Sequence, residues 1–181
     1  ETIERSAALV RLGDLAAARG AHVEALTRYR AAAGPGTWGR IAAARACELN
    51  GACLGGRAEA VVFDAVGLPP PLRDDLDLRA ARARAFQGDL AGAMARLADA
   101  APSACDRAPL LCRRLILEAL RADEASVRLE ALLLWERSPA RFEGPLVAEL
   151  ARAAAEVAAS IGAPGHAARI LAAAAEAVSA A

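Results

Sequence analysis

The feature that most restricts this chain is a periodic break in its helical pattern. Turn positions fall at Gly20, Gly55, Gly88, Ala122 and Gly162, in steps of 35, 33, 34 and 40 residues. Four of the five are followed five residues later by an alanine: Ala25, Ala60, Ala93 and Ala167. In the first unit Leu9, Leu12, Gly13, Ala16, Ala25, Tyr29 and Ala32 recur at helical spacings around Gly20. That pattern predicts two amphipathic helices joined by a tight turn. A lone helix pair cannot bury its apolar stripe, so a repeat of this length implies stacked neighbours.

Composition narrows the class further. The 181 residues include 52 alanines, no lysine and only 3% aromatics. Alanine is the strongest helix former, and the residues that strands favour are scarce. An all-β fold is excluded and a parallel-sheet enzyme disfavoured. Acidic and basic residues balance at 22 each. There is thus no bulk field to hold nucleic acid or an anionic membrane. Glu156, Arg169 and Glu176 interrupt the alanine-rich C-terminal stretch, so no membrane span is expected. Glu1 is not a natural start, which implies an upstream segment. Many arginines and alanines without lysine suggest a GC-rich bacterial source.

The segment from Gly67 to Leu72, with Pro69, Pro70 and Pro71, is read as a joint between units, as are Ser138-Pro139 and Ala163-Pro164-Gly165. One domain over residues 1–181 is expected, with hairpins at 1–36, 37–70, 71–103, 104–139 and 140–181. Gly13, Ala25, Ala81 and Ala93 are expected where helices cross closely. Trp38, Phe63, Phe86 and Trp135 are expected to plug gaps between layers.

Residues 9–32, through Leu12-Gly13, Gly20, Ala25, Tyr29 and Ala32, resemble the tetratricopeptide repeat family. Gln87-Gly88-Asp89-Leu90 with Ala93 and Ala100 resembles the same family's turn and second helix. The resemblance implies an all-α, right-handed superhelical solenoid of about five antiparallel hairpins, with no sheet. It also implies a non-catalytic scaffold that takes a partner peptide or protein in a concave groove lined by first helices. The family's groove positions fall on Asp14, Arg45, Arg82 and Phe86 of this sequence. No cofactor is implied, and the sequence leaves the oligomeric state open.

Cys47, Cys53, Cys105 and Cys112 form two close pairs. Disulfides in an oxidising compartment are one reading, small buried thiols another. The C-x5-C and C-x6-C spacings do not suit zinc. Six or seven residues of unbroken helix span about 9–10.5 Å, beyond the ~7 Å limit for bridged Cα atoms. Each bridge therefore needs a helix break, which Asn50-Gly51 and Pro109 offer. In the solenoid that the resemblance implies, crossed pairs would join layers out of contact. The expected bridges are then Cys47–Cys53 and Cys105–Cys112. Oxidised cysteines would set the chain in the bacterial periplasm or at the outer membrane, as an assembly factor with a possible upstream lipid anchor. Free thiols would leave the cytoplasm open.

Other constellations carry little chemistry. Gly51-Ala52-Cys53-Leu54-Gly55 matches a nucleophile elbow, but no strand precedes it. His22 and His166 lack a carboxylate or cysteine at ligand spacing; His22 reads as a solvated turn position and His166 as lying near a helix start. Asp74, Asp75 and Asp77 read as helix N-terminal charge, with Arg79, Arg82 and Arg84 as a solvated stripe, Asp75 pairing with Arg79. Arg113-Arg114 reads as part of a basic face. With no phosphate loop, metal set or acid/base pair, an enzyme is not expected. Two further resemblances set alternatives. Leu133-Leu134-Trp135-Glu136-Arg137-Ser138-Pro139 with Phe142-Glu143-Gly144 resembles helical units of soluble lytic transglycosylases. Residues 147–177 resemble the helical sensor repeats of cytoplasmic ATPase regulators.

Overall fold

Alanine-rich segments punctuated by glycine and proline give helices with sharp ends, and the computed structural model is helical throughout its regular elements. It describes residues 2–51, 53, 62–64, 66–100, 105, 106, 108–138 and 140–180. Among these, nine α-helices occur and no strand. No described helix is long and apolar enough to cross a membrane. The chain divides into two compact units, Glu1–Asp89 and Leu90–Ala181.

The first unit holds α1 (Thr2–Ala18), α2 (His22–Ala32), α3 (Thr37–Asn50) and α4 (Pro70–Phe86). Helix α1 folds back onto α2, and both contact α3, which in turn contacts α4. Val10, Ala16, Ala25, Tyr29, Ala32, Ile41 and Ala42 form one buried cluster. Ala44, Cys47, Phe63, Leu68, Leu76, Ala80 and Ala83 form another. Half of these residues are alanine, so the packing comes from close helix approach rather than from large side chains. Gly13 shows the limit of that approach. Its Cα faces the Tyr29 ring so closely that an added Cβ would overlap Cε1 and Cδ1.

The second unit holds α5 (Leu90–Asp99), α6 (Pro109–Leu120), α7 (Ala125–Arg137), α8 (Val147–Ser160) and α9 (Pro164–Ser179). Helices α6 and α7 pair, as do α8 and α9. Helix α5 rests on α6 and α7, and α8 contacts both α6 and α7. Met94, Leu115, Trp135, Leu150, Ala154 and Ile170 mark the buried side. Trp135 meets the Phe142 ring edge-on at 5.4 Å, and the Arg141 guanidinium lies over Phe142. Arg113 donates to the Ala140 carbonyl at 3.2 Å, which ties the loop after α7 back to α6.

Three of the predicted turns are chemically the same. Gly20, Gly88 and Gly162 all adopt positive φ, between 77° and 83°. At each, the next residue donates back across the turn: Ala21 to Ala16, Asp89 to Arg84 and Ala163 to Ala158, at 2.9–3.0 Å. This is the six-to-one bond that closes a helix through a left-handed glycine. Ala122 turns without positive φ, and its amide reaches only Ala119. The predicted turn at Gly55 with Ala60, and Pro139 of the Ser138-Pro139 joint, lie outside the described residues.

Two expectations need correction. Phe86 plugs no gap: it is 75% exposed at the last position of α4. The buried side of that helix runs through Leu76, Ala80, Ala81, Ala83 and Ala85, and Phe86 falls off it. The prolines after Gly67 are not all joint, since Pro70 and Pro71 form the first turn of α4. There a missing N–H costs nothing. The other expected crossing and plug residues are buried, apart from half-buried Trp38.

Both cysteine pairs are bridged, Cys47–Cys53 and Cys105–Cys112, with Cα atoms 5.5 and 5.6 Å apart. Helix α3 stops at Asn50, and Gly51 takes a left-handed φ of 64°, which turns Cys53 back towards Cys47. Cys105 has helical backbone rather than loop, and Ala108, at φ −131°, supplies the break before Pro109. Such bridges suit an oxidising compartment.

The Gly13 contact sets a test. Gly13→Ala is expected to destabilise the protein by about 1–3 kcal/mol through overpacking. Denaturant melts of the two proteins measure it.

Candidate functional site

Helix α4 spaces Asp75, Arg79, Arg82 and Phe86 by four, three and four residues. Residues so spaced share one helix face. Helix α3 brings Arg45 and Glu48, one turn apart, to the edge of its buried side, and α1 brings Asp14. The face where α3 lies against both α1 and α4 therefore collects three guanidiniums and three carboxylates.

Glu48 is the centre of the group. Its side chain is only 10% exposed, and its two oxygens receive Arg79 at 2.6 Å and Arg82 at 2.8 Å. Arg79 also holds Asp75, one turn earlier, through Nε at 2.8 Å. Arg45 pairs with Asp14 and lies 3.9 Å from Asp75. Asp14 accepts a hydrogen bond from the Tyr29 hydroxyl at 2.8 Å, which draws α2 into the group. Burial separates the members: the Arg45 and Arg79 side chains are 14% and 22% exposed, Arg82 is 58% exposed.

The burial has electrostatic consequences. Desolvation pushes the Arg45 guanidinium down to about 10, aided by the Arg79 charge and opposed by Asp75 and Glu48. It remains a cation at neutral pH. Burial works against the Arg79 charge too, but Glu48 and Asp75, by charge and by hydrogen bonds, carry its pKa above the usual value. Burial raises the Tyr29 phenol, with Arg79 lowering it and Glu48 raising it.

The four predicted groove residues all lie in the first unit. Asp14, Arg45 and Arg82 enter one ion network, and Phe86 stands one turn beyond Arg82. The predicted Asp75–Arg79 pair is present, but it is not a solvated stripe, because Glu48 clamps Arg79 from the neighbouring helix. Sequence reading passed over Glu48. Its one signal was the three-residue step from Arg45, which puts two opposite charges on one edge of an otherwise apolar helix. Arg84 turns away to pair with Asp89 at 2.6 Å.

His22 is exposed at the start of α2. His166, at the start of α9, is not merely solvated: Nε2 meets Glu136 of α7, and Arg169 approaches Nδ1 at 3.2 Å. That carboxylate is 30 residues away in sequence, so no local spacing could reveal it. Among the described residues no group of three or more His, Cys, Asp or Glu is arranged to hold a metal. The elbow-like Cys53 is spent in a disulfide.

Tyr29 is the only tyrosine in the chain, so its ionisation can be followed directly. A raised folded-state value means that the stabilisation from the neutral phenol is complete below about pH 10, the unfolded value. It is lost as pH rises through the folded value. Phenolate absorbance is expected to appear above about pH 10 in the native protein and near about pH 10 in urea. Against known proteins, no family model, no curated sequence and no solved structure matches this chain.

Proposed function

We propose that this chain is a non-catalytic helical-repeat module that binds a segment of another protein along its first-helix face, as an assembly factor or scaffold in a bacterial cell envelope. The observation that carries this reading is the state of the charges on that face. Three guanidiniums balance three carboxylates there, and Arg82, the most exposed of the paired charges, stands with the exposed Phe86 ring at the solvent edge of the face. A catalytic group would need a reactive atom held free for substrate. A recognition rim needs a fixed cation beside an apolar surface, and arginine and aromatics are favoured residues for it.

The finer architecture belongs to the same proposal. Hairpins stacked as a right-handed superhelical solenoid of tetratricopeptide type fit the contacts within each unit. First helices touch first helices in α1–α3, α3–α4 and α6–α8. Second helices touch the next first helix in α2–α3, α5–α6 and α7–α8. The identical closing bonds at Gly20, Gly88 and Gly162 support a repeated unit.

The envelope location rests on the two disulfides, which persist in the periplasm and are rare in the cytosol. This disfavours the cytoplasmic regulator. The segment that suggested a transglycosylase accessory unit is occupied in packing, with Trp135 against Phe142.

Photo-crosslinking tests the reading. A crosslinking amino acid placed at Gln87, exposed beside Phe86, is expected to trap one envelope protein, and at Thr27, exposed on α2, to trap none. Arg82→Gln with Phe86→Ala should abolish that capture while costing only about 1 kcal/mol of stability, since Arg79 still holds Glu48. Equal trapping from Thr27, or none from the rim, would contradict the assignment.

A further inference from the structure

Helix α9 packs on α8 and contacts no other described helix at backbone distance; its one further tie is His166 to Glu136. Its inner side carries Ala167, Ile170 and Ala174. The outer side is also apolar. Leu171 is 47% exposed and Val178 57% exposed, with Ala168, Ala172 and Ala175 exposed between them. At 3.6 residues per turn, these positions sort into three strips. Ala168, Ala172 and Ala175 run down the middle of this exposed side. Leu171 and Val178 form one flank, seven residues apart. Arg169 and Glu176 form the opposite flank, also seven residues apart.

We propose that this face pairs with the same face of a second copy of the chain, helix against helix and antiparallel, across a two-fold axis near Ala172 and Ala173. The order of the three strips selects this partner and this direction. A two-fold axis perpendicular to the helix sets like flanks side by side and reverses their order along the axis. The two Leu171 side chains then meet near the axis, and Val178 of each copy lies about one turn further out, beside Leu171 of the other. On the other flank Arg169 of each copy stands level with Glu176 of the other, which gives two ion pairs per dimer. A parallel pair would set the apolar flank of one copy against the charged flank of the other.

The charges are available for this. Two helical turns separate Arg169 from Glu176, and Glu176 makes no ion pair with any described residue. Arg169 engages only the His166 ring, through one terminal nitrogen. The outward alanines allow the two helices to approach to the short end of the 8–10 Å range. An isologous contact of this kind closes on itself and stops at a dimer. The contact is independent of the Arg82–Phe86 rim.

Sedimentation velocity across a concentration series tests it on the whole chain. One helix face is a small interface, so a reversible dimer with Kd in roughly the micromolar range is expected. Glu176→Arg should weaken it by roughly tenfold, because each Arg169 would then face an arginine. Arg169→Glu should do the same. The double exchange Arg169→Glu with Glu176→Arg rebuilds both pairs in reverse and should restore the wild-type Kd. Leu171→Glu should leave a monomer with an unchanged helical melt. A wild-type protein that stays monomeric to roughly 1 mM overturns the proposal. So does a dimer that the double exchange fails to restore, which would mean another face or another direction.

Discussion

A carboxylate held almost out of water between two guanidiniums governs the face that α1, α3 and α4 share. Glu48 receives Arg79 and Arg82 from α4 while sitting on α3, beside a helix end pinned by the Cys47–Cys53 bridge. Removing a charge from water costs several kcal/mol, and a buried pair recovers that only when its geometry and remaining hydrogen bonds are good. Here Arg79 finds a second acceptor in Asp75, and Arg45 finds Asp14. The network thus fixes how α1, α3 and α4 present their edges. Its contribution is specificity of arrangement more than net stability, since an apolar set of similar volume would cost no desolvation.

This constraint works because the helices come close. Ala16, Ala25, Ala42, Ala44, Ala80, Ala81 and Ala83 are essentially fully buried, and Gly13 lets the Tyr29 ring lie on α1. Side chains as long as arginine and glutamate can then span from one helix to the next without large apolar neighbours to prop the helices apart. The alanine content and the ion network are two parts of one design: small residues set the spacing and long charged ones set the register.

How much of this the sequence disclosed follows from the range of each interaction. Helix ends were legible where their causes are local: a left-handed glycine at Gly20, Gly51, Gly88 and Gly162, or the first-turn proline Pro109, whereas Pro70 and Pro164, read as joints, open helices. The disulfides were legible for the same reason, since each closes over one helix break. Glu48 with Arg79, and Glu136 with His166, bridge 31 and 30 residues. Their meeting depends on tertiary contact, which no spacing rule supplies. Phe86 misled because an aromatic in an alanine-rich chain reads as core, whereas the phase of α4 leaves it on the surface.

The central claim is that Glu48 and Arg79 act as one buried, coupled pair that joins α3 to α4, leaving Arg82 and Phe86 as the outward part of the face. A double-mutant cycle with Glu48→Ala, Arg79→Ala and both together, measured by denaturant unfolding, tests it most directly. The account predicts a coupling energy of about 2 kcal/mol, with each single change costing about 2–3 kcal/mol, because Glu48 then keeps only the more exposed Arg82 and Arg79 only Asp75. A coupling within about 0.5 kcal/mol, the range of an ordinary exposed pair, would contradict it.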